Sequence, residues 1–251
     1  MRIAYLDFIY DEQEMLEDIV KEMRRCAGEG TQIDYVCMEK VSSLDYIAYE
    51  TLVLPELIKA VGEIEGRGYD AVIIGCCLDP CVTALREVYK DIVIVGPFEA
   101  ATSIAKSLGR TFSVIATRPK AKEQYMETIH RTGCGSALAS IRYLNLRVSE
   151  LQENEERLHS RMSDEIGQAI KKDFADVILL ACTMETGQYR SLQEKFNVPI
   201  IDPTVAALKY AEMMVSAKDM CGWTVSKSGT YETPPREDLD KFMNKEMKLR
   251  W

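Results

Sequence analysis

The chain has 251 residues, 47% of them hydrophobic and 28% charged, which is enough for a sizeable packed core. Its formal net charge of −9, without a Lys/Arg-rich run or a basic aromatic patch, argues against nucleic acid as a partner. No stretch approaches the roughly 20 apolar residues that span a bilayer, and the opening MRIAYLDFIYDEQEM reaches acidic residues before any signal-peptide core, so no membrane partner and a cytoplasmic location are expected.

Short β-rich runs alternate with amphipathic helical stretches along the whole chain. The spacing predicts strand 2–6 with helix 11–26, strand 32–37 with helix 52–64, strand 71–74 with helix 82–89, and strand 92–95 with helix 98–108. The pattern resumes with strand 112–116, helix 120–129, strand 141–146 and a long helix 150–172. Strand 177–180, helix 188–196, strand 199–201 and helix 206–216 complete it. Runs 71–74, 92–95 and 177–180 are continuously apolar, as parallel strands covered on both faces should be. Ser149 with Gln152 suggests a capping box for the long helix, whose buried face would carry Leu151, Leu158, Met162, Ile166 and Ile170.

An internal repeat organises these elements. DAVIIGCCLDP (70–80) aligns with DVILLACTMET (176–186), and at the same offset of 106 residues IVGPFEAA (94–101) falls on IIDPTVAA (200–207). The expected fold is therefore α/β, with two similar parallel-sheet lobes related by duplication, residues 1–97 and 98–215, and a tail 216–251. The active site is expected in the crevice between them, where the carboxyl ends of the strands open.

Eight cysteines stand at positions 26, 37, 76, 77, 81, 134, 182 and 221. In a chain expected to stay in a reducing cytosol they do not suggest a disulfide framework. No CxxC pair exists and neither His130 nor His159 lies at ligand spacing, so no metal is expected. The absence of a GxGxxG fingerprint and of a P-loop likewise predicts no cofactor. The repeat superposes Cys76 on Cys182, and each follows a strand and precedes a helix start, which predicts two opposed thiols with lowered pKa. Cys77 and Cys81 have no partner in the repeat and are expected to be structural thiols.

These residues resemble the aspartate/glutamate/hydantoin racemase superfamily, and its hydantoin racemase branch above all. Cys76-Cys77-Leu78-Asp79-Pro80-Cys81 is similar to that branch's Cys-x-Gly-Asp-Pro-Gly motif, with Leu78 and Cys81 where the family has glycine. Ala84-Leu85-Arg86-Glu87, Val95-Gly96-Pro97-Phe98-Glu99-Ala100-Ala101 and the tail segment Ser226-Lys227-Ser228-Gly229-Thr230-Tyr231 resemble further family segments. Val177–Leu180 leading to Cys182, and Ile200-Ile201-Asp202-Pro203, are similar to its second half. Asp7-Phe8-Ile9-Tyr10 replaces the family's Asn-Pro-Asn element, and Met184 replaces the histidine of the glutamate racemase motif, which disfavours free glutamate.

The resemblance implies a cofactor-independent racemase or epimerase with Cys76 and Cys182 catalytic, a small anionic or imide-bearing substrate, and a homo-oligomer. The chemistry suits the residues, because inversion at an acidic C–H needs a base on one face and an acid on the other. Backbone N–H groups around Cys77, Leu78, Thr183 and Met184 are expected to hold substrate oxygen, with Asp7 and Thr117 reaching the same crevice. Asp79 before Pro80 suggests an N-cap with Pro at N1, Thr183 either caps its helix or donates to the ligand, and Glu99 fits a first-turn helix acid. Rival readings are a decarboxylase or maleate-type isomerase on the same fold, and a non-catalytic two-lobed sensor.

Overall fold

The computed structural model describes residues 1–8, 13–38, 44–151 and 153–244; Ile9, Tyr10 and Gln152 lie outside them. The first sheet holds β1 (Arg2–Asp7), β2 (Gln32–Cys37), β3 (Ala71–Ile74) and β4 (Val93–Val95), all parallel in the order β2-β1-β3-β4. The second holds β5 (Phe112–Ala116), β6 (Leu138–Tyr143), β7 (Val177–Leu180) and β8 (Ile200–Ile201), parallel in the order β6-β5-β7-β8. The duplication seen in sequence is thus a duplication of topology. β3 and β7, the inner strands that lead to Cys76 and Cys182, are buried at every position, each aliphatic side chain contributing about 1.5–3 kcal/mol by its burial.

The helices are α1 (Gln13–Cys26), α2 (Ile47–Gly66), α3 (Val82–Val88), α4 (Pro97–Leu108), α5 (Lys122–Arg131), α6 (Glu155–Asp173), α7 (Tyr189–Phe196), α8 (Pro203–Cys221) and α9 (Arg236–Asn244). The two helices that follow the edge strands exchange lobes. Phe98, Ala101 and Ala105 of α4 pack with Phe112, Val114, Val177 and Leu179 of the second sheet. Ala207, Leu208, Ala211 and Val215 of α8 pack with Ile3, Tyr5, Ile73 and Val95 of the first. α4 and α8 also pack against each other, so the lobes are bound by a reciprocal apolar crossing and their strand ends are held in fixed relation.

Several boundaries differ from expectation for identifiable reasons. α2 begins at Ile47 instead of residue 52, because Ile47, Tyr49 and Leu52 are exposed and hide the helical pattern set by Val53, Leu57, Val61 and Ile64. α6 begins at Glu155, since the Asn154 side chain caps it by accepting from the Arg157 N–H at 2.8 Å. Leu151 is buried all the same, in the loop before the helix. β6 lies three residues earlier than expected, paired to β5. Lys227 in the C-terminal segment donates to the Arg86, Glu87 and Tyr89 carbonyls, closing the end of α3. Among the described residues no helix is long and apolar enough to cross a membrane.

Candidate active site

The carboxyl ends of β1, β3, β5 and β7 meet in one cleft between the lobes. The cavity there opens to solvent and is lined from both sheets, a concave place of the kind that small molecules occupy. It brings together Asp7 at the end of β1, Cys76, Cys77 and Leu78 beyond β3, Thr117 beyond β5, and Cys182, Thr183 and Met184 beyond β7. His130 and His159 lie outside it, His159 sharing a hydrogen bond with Ser191 at 3.2 Å. Among the described residues no group of three His, Cys, Asp or Glu side chains is arranged to hold a metal ion.

The two cysteine loops repeat each other in hydrogen bonding. The Asp79 N–H donates to the Cys76 carbonyl at 3.1 Å, and the Glu185 N–H donates to the Cys182 carbonyl at 3.1 Å. In each loop the N–H two residues past the cysteine, that of Leu78 or Met184, favours the ionised sulfur. These N–H groups therefore act on the thiols themselves. The loops are tied across the lobe boundary, where the Thr183 hydroxyl donates to the Gly75 carbonyl at 3.3 Å. Gly75 admits no side chain, since a Cβ would stand 2.8 Å from the Leu6 carbonyl oxygen. Tyr125 of α5 donates its hydroxyl to the Ala181 carbonyl at 2.8 Å and so anchors the chain just before Cys182.

Asp79 does not cap its own helix. α3 begins only at Val82, after Asp79 and Cys81 in left-handed conformations with φ of 51° and 62°. The Asp79 carboxylate instead accepts from the Phe98 and Glu99 N–H groups at 2.9 and 2.7 Å, capping α4 from a distance in sequence. Gly96 makes room, for a Cβ there would lie 2.5 Å from the Asp79 carboxyl carbon. Glu99 sits in the first turn of α4 and binds Arg86 at 2.9 Å and Arg131 at 2.8 Å.

Both thiols favour their protonated forms, opposite to the expectation from sequence. Burial pushes Cys76 up to about 12, and the charges of Glu50, Asp79 and Asp7 add to it. Burial also pushes Cys182 well above the usual thiol range, followed by the charge of Glu185. The physical reason is that neither sulfur meets a helix dipole. α3 starts several residues beyond Cys76, and Cys182 is followed only by the 3₁₀ turn Thr183–Glu185. A single N–H on each sulfur does not offset desolvation.

Sequence reasoning missed the polar rim. Arg118 pairs with Asp45 at 3.5 Å, Lys120 Nζ lies 5.3 Å from the Tyr46 ring centroid, and Gln124 donates to Glu50 at 2.5 Å. Their one signal was position, just past the strand end at Thr117. Phe8, Leu44 and Val148 supply apolar wall.

The Asp/Glu/Hydantoin racemase family model matches residues 13–211. The hydantoin racemase of Rhizobium meliloti is 33% identical over 193 residues, 77% of this chain and 78% of that protein. That of Paenarthrobacter aurescens is 32% identical over 186 residues, 74% and 77% of the two chains. A solved allantoin racemase from Klebsiella pneumoniae superposes with a TM-score of 0.86 at 25% identity over 94% of each chain.

Proposed function

The chain belongs to the Asp/Glu/hydantoin racemase family and is an isomerase, and we propose that it inverts the acidic C–H centre of a hydantoin-like cyclic ureide with two thiols. The observation that carries this reading is that Cys76 and Cys182, the one cysteine pair matched by the repeat, line a single cavity from different sheets. The substrate class follows the hydantoin and allantoin racemases that the chain resembles. A ring of that kind also suits a cleft with apolar walls and a polar rim.

In the forward direction the thiolate of one cysteine removes the proton from the ring carbon. The electron pair delocalises onto the adjacent carbonyl, and the thiol of the other cysteine delivers its proton to the opposite face. The thiolate and thiol have then exchanged roles, and the reverse reaction starts from that state. One negative charge is shared by the pair, because two thiolates buried together repel in low dielectric. The high thiol pKa values favour the acid, and the Leu78 and Met184 N–H groups support whichever sulfur is ionised.

The test uses separate enantiomers of a 5-substituted hydantoin and of allantoin. Cys76→Ser and Cys182→Ser are each expected to lose racemisation by about 10²–10⁴-fold, the range for a general acid or base. Each variant should still exchange the ring hydrogen for deuterium in one enantiomer, and the two variants should choose opposite enantiomers. Full racemisation by either variant, or the same exchange preference in both, overturns the two-thiol reading.

A further inference from the structure

Glu185 is a buried titratable group that the chemistry above leaves unused. It has no exposed surface, and among the described residues neither carboxyl oxygen makes a hydrogen bond of good geometry, although the Cys182 N–H acts on the carboxyl. Its counterpart in the repeat is Asp79, whose carboxylate is engaged in capping α4. In the second lobe that task is performed locally. Asp202 accepts from the Thr204 and Val205 N–H groups at 2.9 and 3.2 Å at the start of α8, and from the Gly187 N–H at 2.8 Å. Glu185 is left in the 3₁₀ turn that follows Cys182, its N–H on the Cys182 carbonyl and its carboxyl facing no cation among the described residues, with only the Cys182 N–H acting on it. Burial of a polar group without a partner costs about 1–3 kcal/mol, so packing alone does not account for the residue.

The titratable groups around it define what it does. Asp202 of the α8 start acts on Glu185, and Glu185 acts on Cys182, on Cys77 of the β3 loop and on Tyr125 of α5. On Cys182 it is the strongest neighbouring charge, whereas the charges acting most on Cys76 are Glu50, Asp79 and Asp7.

We propose that Glu185 is a positioning residue that makes the two thiols unequal, its carboxylate holding Cys182 as the protonated acid so that Cys76 carries the thiolate first. The proposal rests on the two-thiol reading. Like charges buried together ionise one at a time. A carboxyl is intrinsically a stronger acid than a thiol by about four units, and burial raises both groups here, Asp202 adding to the rise of Glu185. As pH rises Glu185 therefore loses its proton before Cys182 does, and its charge then opposes the second ionisation. The consequence is stereochemical: the enantiomer whose C–H faces Cys76 is deprotonated without delay, while the other waits for the proton to move between sulfurs.

The test reads the thiols directly and needs no substrate. Iodoacetamide alkylation of Cys76 and Cys182 is followed by peptide mass spectrometry as pH is raised, in wild type, Glu185→Gln and Glu185→Asp, with folding checked by circular dichroism. In wild type the Cys182 midpoint is expected above that of Cys76, and the reverse order overturns the proposal without recourse to any variant. In Glu185→Gln the Cys182 midpoint should fall by about one unit, a roughly tenfold faster reaction at a fixed alkaline pH. Cys76 should change less than about twofold, and Glu185→Asp should keep the wild-type order. An unmoved Cys182 profile in folded Glu185→Gln, or an equal rise at both cysteines, overturns the role of Glu185. Either result leaves the two-thiol reading standing, because that reading is decided by the serine variants.

Discussion

The Thr183 hydroxyl donates to the Gly75 carbonyl at 3.3 Å, so the residue after one cysteine holds the residue before the other. This bond crosses the lobe boundary in the wall of the cavity, and both partners are buried. Removing the hydroxyl leaves a buried carbonyl unpaired and frees the two thiol loops to separate.

Thr183→Val is accordingly expected to cost about 1–3 kcal/mol of stability and to lower kcat more than it raises KM. Displacement of a base and an acid from their line through the reacting carbon affects the chemical step above all. Thr183→Ser, which keeps the donor, should restore most of both. Denaturant titration with steady-state kinetics makes the comparison. A Val variant with normal kcat would show that the loops keep their places without this bond.

Cys77 and Cys81 provide the contrast to the repeated pair. Cys77 is buried in the cluster with Phe98, Phe112 and Tyr125, so Cys77→Ser puts a hydroxyl among apolar groups at a cost of about 1–3 kcal/mol. Cys81 is half-buried, and Cys81→Ser should stay within about 0.5 kcal/mol of wild type. Both variants are expected to keep kcat within a few-fold when folded. Abolished activity in folded Cys77→Ser would transfer the first-lobe role from Cys76 to its neighbour.

Asp79 makes stability depend on pH. It is buried, and desolvation raises its carboxyl to about 7 although the Phe98 and Glu99 N–H groups pull the other way. The folded value lies above the unfolded one, so its contribution to stability is complete below the unfolded carboxylate range. It is lost as pH rises toward about 7. The difference amounts to at most roughly 4 kcal/mol. Asp79→Asn should flatten the fall in unfolding free energy between about pH 4 and 7 relative to wild type. Parallel pH curves for the two proteins would contradict the raised value.

Most strand positions, β6 apart, and the matching of Cys76 with Cys182 in the repeat were legible because each rests on local pattern: apolar runs such as Val177–Leu180, and a repeat that holds register without a gap. What tertiary contact decides was not legible. Asp79 carries the local signature of an N-cap for the helix after it, yet its carboxylate is directed to α4, some 20 residues on. The thiols stand before helices in sequence, but burial and not the dipole sets their ionisation. Glu185 falls opposite Asp79 in the repeat and gives no sign that Asp202 has taken over the capping. Ile47, Tyr49 and Leu52 face solvent, so the first turns of α2 have no amphipathic signal.

Lys120 leads to a prediction about substrate choice. It lines the cavity beside Arg118, whose guanidinium is engaged with Asp45, while Lys120 Nζ makes no salt bridge among the described residues and lies over the Tyr46 ring at 5.3 Å. A substrate carboxylate on the ring substituent would find its cation there. Because the site opens to solvent, such a pair contributes about 1 kcal/mol, a factor of about five in KM. Lys120→Met, which keeps the apolar stem and removes the charge, should raise KM about fivefold for a hydantoin with a 5-carboxymethyl group. It should leave the 5-methyl compound unchanged, and raised salt should reproduce part of the effect in wild type by screening the pair. Equal changes in KM for both compounds would mean that Lys120 shapes the mouth of the cavity and does not read substrate charge.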